Sequence, residues 1–305
     1  KYSLFEITQQ PELCAYITRL PVEEYNVDAA ILYKDIMTPL VPIGVEVELK
    51  SGIGPVIGNP IRTAEDIAAI GALDMAESLP HVLETIRILT KEQLKVPLIG
   101  FGGAPFTLAS YMLEGGPSKT YQKTRQMLVT RPDLWDALME KLTAMSIVYL
   151  GAQIEAGAAA IQIFDSWVGA VSAREYEARI YPFMKELITA LKTKFPTTPI
   201  TMFGVGTYHL LPLWRQLPVD VIGLDWRSPI ADAKAMGITQ AVQGNLDPAY
   251  LFADWPVIQG EIDRILAEGK EHGRHIFNLG HGVVPEANPD VLKRIVSYVH
   301  EVTAR

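Results

Sequence analysis

Cysteine is almost absent from this chain, because its 305 residues include one, Cys14. A single cysteine excludes an internal disulfide, and it fits a protein of a reducing compartment. Its neighbours Ala15 and Ile17 are apolar and belong to an expected helix. We therefore predict that the thiol is buried as packing and takes no part in chemistry.

Long hydrophobic runs and basic stripes are also lacking. Residues 158–161 form one of the longest apolar runs, which is far too short to span a membrane. The formal net charge of −8, with no basic stripe to offset it, argues against nucleic acid as a partner. We expect a cytoplasmic protein that acts on a small molecule and binds neither membrane nor nucleic acid.

Several motifs that are typical of cofactor binding or of a catalytic nucleophile are missing. The chain has no Walker motif, and no Gly-x-Gly-x-x-Gly segment opens a helix after a strand. One cysteine and no His-x-x-x-His pair leave no zinc site, and Ser166 lacks the Gly-x-Ser-x-Gly context of serine hydrolases. We therefore expect chemistry based on carboxylate, phenol, imidazole and hydroxyl groups, with no cofactor and no metal.

What the chain does have is a regular alternation of apolar strands and amphipathic helices. The strand-like runs are continuous in apolar residues, which is typical of parallel strands that are covered on both faces. They are residues 28–35, 96–103, 159–166, 199–206, 220–226, 238–245 and 275–282. The clearest helices are 133–155 and 175–194, and residues 44–61 predict a hairpin-like excursion after the first strand.

The polar residues at the strand ends decide between an open sheet and a barrel. Nearly every run ends in a candidate functional group, and convergence at the carboxyl ends of all strands is typical of a TIM barrel. An open sheet would concentrate such groups at one switch point. We predict an α/β fold, a distorted (β/α)8 TIM barrel in one catalytic domain over residues 1–305. Because seven runs are present and a barrel needs eight strands, we expect the first strand to be missing.

Three strand ends carry the main candidates for the site. His281 lies between Gly280 and Gly282, which favours exposure to a ligand over burial in the core. Asp35 ends the first run, where it either faces a ligand or caps the following turn. The third end offers an acid, a hydroxyl and an aromatic ring at residues 165–167, of which Asp165 suits a structural acceptor.

Tyr111 and Arg227 are further candidates, and each also suits a structural role. Tyr111 follows residues 103–107 on a short expected helix, which places its hydroxyl within reach of the barrel mouth, although buried tyrosines often only pack. Arg227 follows the strand of residues 220–226, and it equally suits a surface position at a helix start.

Seven segments together carry a resemblance to a known family. They are residues 29–36, 54–57, 103–107 with Tyr111 and 114–116, 164–167, 223–226, 244–248 and 278–282. No one of them is specific alone. Together they make the chain resemble the uroporphyrinogen decarboxylase family, in its bacterial form, over essentially the whole length.

The resemblance implies a fold, an activity and roles for five residues. The family is a dimeric, distorted barrel that removes carbon dioxide from the four acetate groups of a cyclic tetrapyrrole, uroporphyrinogen III, without metal or organic cofactor. Carried over to this chain, Asp35 would accept hydrogen bonds from the pyrrole N–H groups. Tyr111, Ser166 and His281 would hold substrate carboxylates or assist catalysis, and Phe164 would line the cleft of the macrocycle.

The chain departs from the family pattern at its start. It opens with Lys1 and has no match to the family's first strand or to its Arg-Gln-Ala-Gly-Arg motif, whose arginines hold substrate carboxylates. We therefore expect the natural start to lie upstream, and the chain as written to bind substrate poorly and to fold imperfectly, because an open barrel leaves strand edges unpaired.

Two alternatives to the decarboxylase follow from these features. The first is a catalytically impaired tetrapyrrole-binding protein that keeps the cleft without the arginines. The second is a methyltransferase of the same superfamily that acts on a corrinoid and a thiol. The second is weaker, since it needs a zinc-bound thiolate site with histidine and cysteine ligands, which one cysteine does not supply.

Overall fold

The structure, a computed structural model, describes residues 2, 4–50 and 53–304. Residues 51 and 52 of the predicted excursion lie outside the described residues. The strands are β1 (Ala30–Ile31), β2 (Val47–Lys50), β3 (Gly54–Ile57), β4 (Leu98–Gly103), β5 (Ala160–Phe164), β6 (Ile200–Phe203), β7 (Val221–Gly223), β8 (Ala241–Gln243) and β9 (His275–Ile276).

Seven of these strands form one parallel sheet in the order β1-β4-β5-β6-β7-β8-β9. Each falls inside one of the seven predicted runs, so the predicted strands are confirmed, although the hydrogen-bonded parts are shorter. Helices connect consecutive strands of the sheet, and the result is an α/β fold of the TIM-barrel type. β1 and β9 stand at the two ends of the strand order.

The register of the sheet brings the carboxyl ends of its strands to one edge. Gly103 at the end of β4 pairs with Phe164 at the end of β5, and Phe164 pairs with Phe203 at the end of β6. Strands such as β7 are buried along their whole length, which explains their continuous apolar sequence. The segments that follow these strands therefore emerge side by side, and the predicted site residues lie at the strand ends or in these segments.

The helices are α1 (Leu4–Thr8), α2 (Pro11–Tyr25), α3 (Ala64–Ala68), α4 (Met75–Ser78), α5 (Pro80–Ile88), α6 (Pro105–Glu114), α7 (Gln122–Thr130), α8 (Pro132–Ala156), α9 (Ala173–Arg179), α10 (Tyr181–Lys194), α11 (Leu211–Trp214), α12 (Ile230–Ala235), α13 (Trp255–His272) and α14 (Pro289–Thr303). Pro132 starts α8, and Gly157, with φ of 124°, ends it. The predicted helix over 133–155 is confirmed.

The prediction of one helix over residues 175–194 is wrong. The structure has two helices there, α9 and α10, which are separated at Ile180 with φ of −127° and ψ of −45°. Pro182 stands in the first turn of α10. A proline has no N–H to continue the hydrogen-bond ladder and its ring collides with the preceding turn, so the helix ends before it and a new one starts.

The predicted excursion over residues 44–61 is confirmed as a hairpin. β2 and β3 pair antiparallel, with Val47 opposite Ile57. The hairpin is joined to the end of α6 by backbone hydrogen bonds from the N–H of Ile57 to the carbonyl of Gly115 and from the N–H of Ile61 to that of Met112, each 3.0 Å long. It thus covers the end of the helix that carries Tyr111.

Candidate active site

Asp35 lies in a tight turn that follows β1, and both roles considered for it are compatible with its geometry. Its Oδ1 accepts the backbone N–H of Met37 at 2.7 Å, and its carbonyl accepts the hydroxyl of Thr38 at 2.8 Å. The carboxyl is largely buried, and burial raises its pKa, while the hydrogen bond from Met37 lowers it. Asp35 therefore caps its turn and still presents a desolvated carboxyl group.

Tyr111 lies close to Asp35 and stacks on an aromatic ring. Its ring stacks on Trp167 with centroids 3.8 Å apart, and Tyr121 contacts the same indole at 4.9 Å. Burial raises the pKa of Tyr111, and the nearby charges of Asp35 and Tyr121 raise it further. The phenol therefore keeps its proton at any physiological pH, and it can donate a hydrogen bond to a substrate carboxylate.

A buried hydrogen-bond chain holds Trp167 in place. The hydroxyl of Thr107 donates to Oδ1 of Asp165 at 2.7 Å and accepts the backbone N–H of Trp167 at 3.3 Å. Asp165 is fully buried, and burial raises its pKa to about 7. The structural role suggested for Asp165 by the sequence is thus the one that the geometry gives it.

Phe164 and Ser166 flank Asp165 at the end of β5. The ring of Phe164 meets Phe101 edge-on at 5.5 Å and Phe203 at 6.2 Å, so three neighbouring strands contribute one aromatic layer. Its carbonyl accepts the N–H of Ala104 at 2.8 Å, which ties β5 to the start of α6. Ser166 is half-buried one residue before Trp167. Ser166 is thus adjacent in sequence to the ring on which Tyr111 stacks.

His281 lies in a second cluster, after β9. It is exposed, and its ring stacks at a tilt on Trp226 with centroids 5.7 Å apart. The guanidinium of Arg227 lies over the same indole, 3.9 Å from its centroid. Gly280 permits this arrangement, because a Cβ added there would lie 2.4 Å from the backbone nitrogen of Trp226.

Contacts between neighbouring loops join the two clusters along the sheet edge. A Cβ added at Gly169, after β5, would meet the carbonyl of Val205 at 2.3 Å. After β6, the N–H of Gly206 donates to Oδ2 of Asp225 at 2.7 Å. The loops after β5, β6, β7 and β9 are therefore packed against one another, and the predicted site residues fall on one continuous edge.

The structure groups the five predicted residues unequally. Asp35, Tyr111, Phe164 and Ser166 lie around β1, β4 and β5, whereas His281 follows β9 at the other end of the strand order. We call the first four residues the Asp35 group. We call Trp226, Arg227 and His281 the His281 group. The curl of the sheet brings the two ends of the strand order toward each other, and α14 is joined to α2 by an ion pair of Lys293 with Glu24 at 3.0 Å, so one substrate at the strand ends can contact both groups.

The sequence reasoning missed two residues of this edge. Tyr121 contacts Trp167 from a left-handed backbone conformation, with φ of 50°, for which the sequence offers no signal. In the sequence, Thr107 is one residue of the segment 103–107 with no distinguishing signal, although its hydroxyl connects Asp165 to Trp167. A threonine just inside a helix start is too common to single out, so only the three-dimensional contact identifies it.

The described part of the chain contains neither a metal-ligand cluster nor a bilayer-spanning helix. Within residues 4–50 and 53–304, no three histidine, cysteine, aspartate or glutamate side chains gather as a metal site. None of the helices in that part of the chain combines the length and apolar content that a bilayer-spanning helix needs.

Comparison with known sequences gives full-length matches to one family. A sequence model described as uroporphyrinogen decarboxylase (URO-D) matches residues 1–302. Uroporphyrinogen decarboxylase of Geobacillus kaustophilus (strain HTA426) is 60% identical over 304 residues, which cover 100% of this chain and 88% of that protein. The enzyme of that name from Bacillus subtilis (strain 168) is 59% identical over 301 residues, 99% of this chain and 85% of the relative.

Comparison with solved structures gives matches to proteins with a similar fold. A methyltransferase from Methanosarcina mazei superposes with a TM-score of 0.77 at 19% identity and covers 98% of this chain and 88% of its own. A putative vitamin-B12-independent methionine synthase from Listeria monocytogenes gives a TM-score of 0.58 at 13% identity, over 97% of this chain and 87% of that one. At such identities the likeness concerns the fold alone. The sequence matches, which run the length of the chain, show that it belongs to the uroporphyrinogen decarboxylase family.

Proposed function

We propose that this chain is a carboxy-lyase that converts uroporphyrinogen III to coproporphyrinogen III, a step of porphyrin and haem biosynthesis. The observation that carries the proposal is the family match over residues 1–302, with relatives such as the Geobacillus sp. (strain WCH70) enzyme at 59% identity over 305 residues. We assign the activity to one catalytic domain over residues 1–305, with its site at the carboxyl ends of the strands, and we expect no cofactor.

The reaction turns each acetate side chain into a methyl group. A proton first adds to a carbon of the pyrrole ring, which makes the ring a cation. The bond between the methylene carbon and the carboxylate then breaks, carbon dioxide leaves, and the electron pair flows into the ring. A second proton adds to the methylene carbon while the ring carbon loses the first, so one proton is consumed for each carbon dioxide released.

Asp35 is the residue to which we assign stabilisation of the ring cation. Its carboxylate would accept hydrogen bonds from pyrrole N–H groups, and its burial makes the attraction stronger than it would be in water. Burial also raises the pKa of Asp35, which would favour the neutral carboxyl group, and the neutral form does not stabilise a cation. The Met37 N–H at 2.7 Å opposes this, and each pyrrole N–H that donates to the carboxylate would lower the pKa further.

The remaining predicted residues would bind the substrate around Asp35. The protonated phenol of Tyr111, held by Trp167, would donate to a substrate carboxylate next to Asp35. Ser166 would hold a further carboxylate, and the half-buried ring of Phe164 would line the macrocycle. His281, exposed after β9, would bind another carboxylate of the same substrate.

A catalytically impaired tetrapyrrole-binding protein is the second candidate. The net charge of −8 is its support, since a polyanion needs cations to bind, but the full-length relatives, which are named as decarboxylases, do not favour it. The methyltransferase alternative is not favoured, because the sequence relatives at 59% identity are named as decarboxylases.

We also propose a homodimer in the cytoplasm that binds no nucleic acid. The dimer rests on the resemblance to the family, and the third property is supported by the acidic net charge of −8. Light scattering after size-exclusion chromatography tests the dimer: a mass of one chain at micromolar concentration would contradict it. Cell fractionation followed by immunoblotting tests the location.

The test of the activity is an anaerobic assay with uroporphyrinogen that counts carbon dioxide and identifies the products. The chain is assayed as it stands and preceded by the N-terminal segment that the resemblance predicts. Release of four equivalents of carbon dioxide by either version supports the decarboxylase. Substrate binding without release by both folded versions would favour the impaired binding protein instead.

The role of Asp35 has its own test with a matched control. We expect Asp35→Asn to lower kcat/KM roughly a hundredfold or more, because the neutral amide does not stabilise the cation. Asp74→Asn is the control, since Asp74 also accepts backbone N–H groups in a cap but is exposed at the start of α4. Equal activity of the two variants would contradict the role of Asp35.

A further inference from the structure

Arg227 lies at the strand ends, and the proposed function assigns it no role. It follows β7, and its Nη1 donates to Oδ2 of Asp225 at 3.0 Å. The side chain of Arg227 is 52% exposed, whereas that of Asp225 is 0% exposed. Asp225 is therefore a buried anion, and the guanidinium of Arg227 lies against it with one edge facing solvent.

The buried carboxylate of Asp225 fixes where the guanidinium can lie. Its Oδ2 accepts the N–H of Gly206 at 2.7 Å, and its Oδ1 accepts the hydroxyl of Ser228 at 3.0 Å. The side-chain amide of Asn245 further ties down the same turn by donating to the carbonyls of Asp225 and Ser228, at 2.9 and 2.6 Å. A carboxylate held by so many donors does not move, so it anchors one edge of Arg227.

The face of the guanidinium is held as well. It lies on the indole of Trp226, 3.9 Å from the ring centroid, and His281 stacks on that same indole. A guanidinium carries five N–H donors in a plane, and the one engaged by Asp225 lies on the buried side. An arginine fixed by an anion behind it and a ring beneath it loses little entropy when a ligand binds its outer edge.

We propose that Arg227 binds a propionate carboxylate of the tetrapyrrole, next to the position that His281 reaches. This inference rests on the proposed function and extends it to a residue and a substrate group. An exposed guanidinium edge matches a carboxylate in geometry, and two N–H groups can bind two oxygens at once. In a chain of net charge −8, a cation held at the strand ends also offsets the repulsion of a polyanionic substrate.

The propionate groups suit Arg227 better than the acetates do. A cation that held the reacting acetate would stabilise its carboxylate in the ground state and so oppose the loss of carbon dioxide. The propionates keep their carboxylates through all four decarboxylations, so one fixed arginine can serve every round. Arg227 therefore contributes to binding, and its effect falls on KM more than on kcat.

The experiment compares Arg227→Gln with Arg87→Gln in the steady-state assay and in inhibition by coproporphyrinogen, which carries propionates and no acetates. Arg87 is a matched control, because it is 48% exposed and paired with Glu84 in the last turn of α5, in the connection that leads into the start of β4. The control removes the same charge from the protein at a position outside the strand-end edge.

We expect Arg227→Gln to raise KM for uroporphyrinogen and the Ki of coproporphyrinogen by a similar factor, roughly tenfold, with kcat changed less than about twofold. Arg87→Gln is expected to change neither constant. An unchanged KM would overturn the proposal. A raised KM with an unchanged Ki would overturn it too, because Arg227 would then hold an acetate.

Two additions keep the test decisive. Arg227→Lys retains the charge over Asp225, so it is expected to fold even where Arg227→Gln does not, and to raise KM and Ki by roughly threefold through loss of the second donor. If the wild-type chain binds tetrapyrroles but releases no carbon dioxide, the proposed function fails by itself. Titration with coproporphyrin then judges Arg227: weaker binding by the variant supports the proposal, and equal binding overturns it.

Discussion

The ring of Tyr111 lies on the indole of Trp167, with centroids 3.8 Å apart and planes inclined by 31°. Trp167 itself is fixed from two sides, by the hydroxyl of Thr107 on its backbone N–H and by the ring of Tyr121. The orientation of the phenol next to Asp35 is therefore set by residues that need not contact the substrate. Such indirect positioning is measurable, because a displacement of about 1 Å can cost a reaction on the order of a hundredfold in rate.

We expect Trp167→Leu to lower kcat by roughly tenfold to a hundredfold, because Tyr111 loses the surface that orients it. Trp255→Leu is the control: Trp255 forms an edge-on pair with Tyr298 at 5.6 Å between α13 and α14. Steady-state kinetics and thermal unfolding of both variants provide the measurement. Equal kcat values for the two variants would show that the Trp167 stack does not position Tyr111.

The two glycines around His281 give a sharper pair of variants. A Cβ at Gly280 would lie 2.4 Å from the backbone nitrogen of Trp226, whereas a Cβ at Gly282 would have nothing within 4 Å. Backbone cannot move aside as a flexible side chain can, so Gly280→Ala has to displace the loop that carries His281. We expect Gly280→Ala to weaken substrate binding and lower the melting temperature.

Gly282→Ala serves as the control for this prediction. The same methyl group is added on the other side of His281, where the space is open, so activity and melting temperature are expected to stay near wild type. Substrate KM and thermal unfolding by circular dichroism measure both effects. If the two alanine variants behaved alike, the close approach of Gly280 to Trp226 would not be what places His281.

The parts of the fold that could be predicted from sequence are those that local patterns determine. Continuous apolar runs predict parallel strands, and the segments that follow the strands emerge at the shared edge, so this pattern predicts Asp35 and His281 there. In the sequence, the glycines next to His281 favour its exposure to a ligand. The structure shows that Gly280 is needed for contact with Trp226, a residue about fifty positions away in sequence, which no local pattern reveals.

Contacts between distant loops account for the rest. Tyr121 contacts Trp167 from a left-handed backbone position at the start of α7, and α7 packs on α6. The break at Ile180 differs from these contacts, because the sequence contains a local signal for it. Pro182 marks a helix start, but the apolar periodicity over residues 175–194 favoured one helix.

Asp165 makes folding stability depend on pH in a direction opposite to that of most carboxylates. Its pKa is raised to about 7 by complete burial, and its Oδ2 has no hydrogen-bond partner among the described residues. In the unfolded chain the group ionises near its ordinary value of 3.8. Between these two values the folded state holds a proton that the unfolded state has released, so the contribution of Asp165 to stability is complete below about pH 4 and is lost as the pH rises to about 7.

Asp165→Asn removes this titration and keeps an oxygen that can accept from Thr107. The free energy of unfolding of the variant, relative to wild type, is therefore expected to rise between pH 4.5 and pH 8.5, by up to about 4 kcal/mol for a shift of this size. Urea unfolding of both proteins at the two pH values measures the difference. Because variant and wild type are compared at the same pH, the contributions of all other titrating groups to the free energy of unfolding cancel. A gap that stays the same at both pH values would mean that Asp165 is already ionised in the folded protein at pH 4.5, with Thr107 supplying enough stabilisation to overcome its burial.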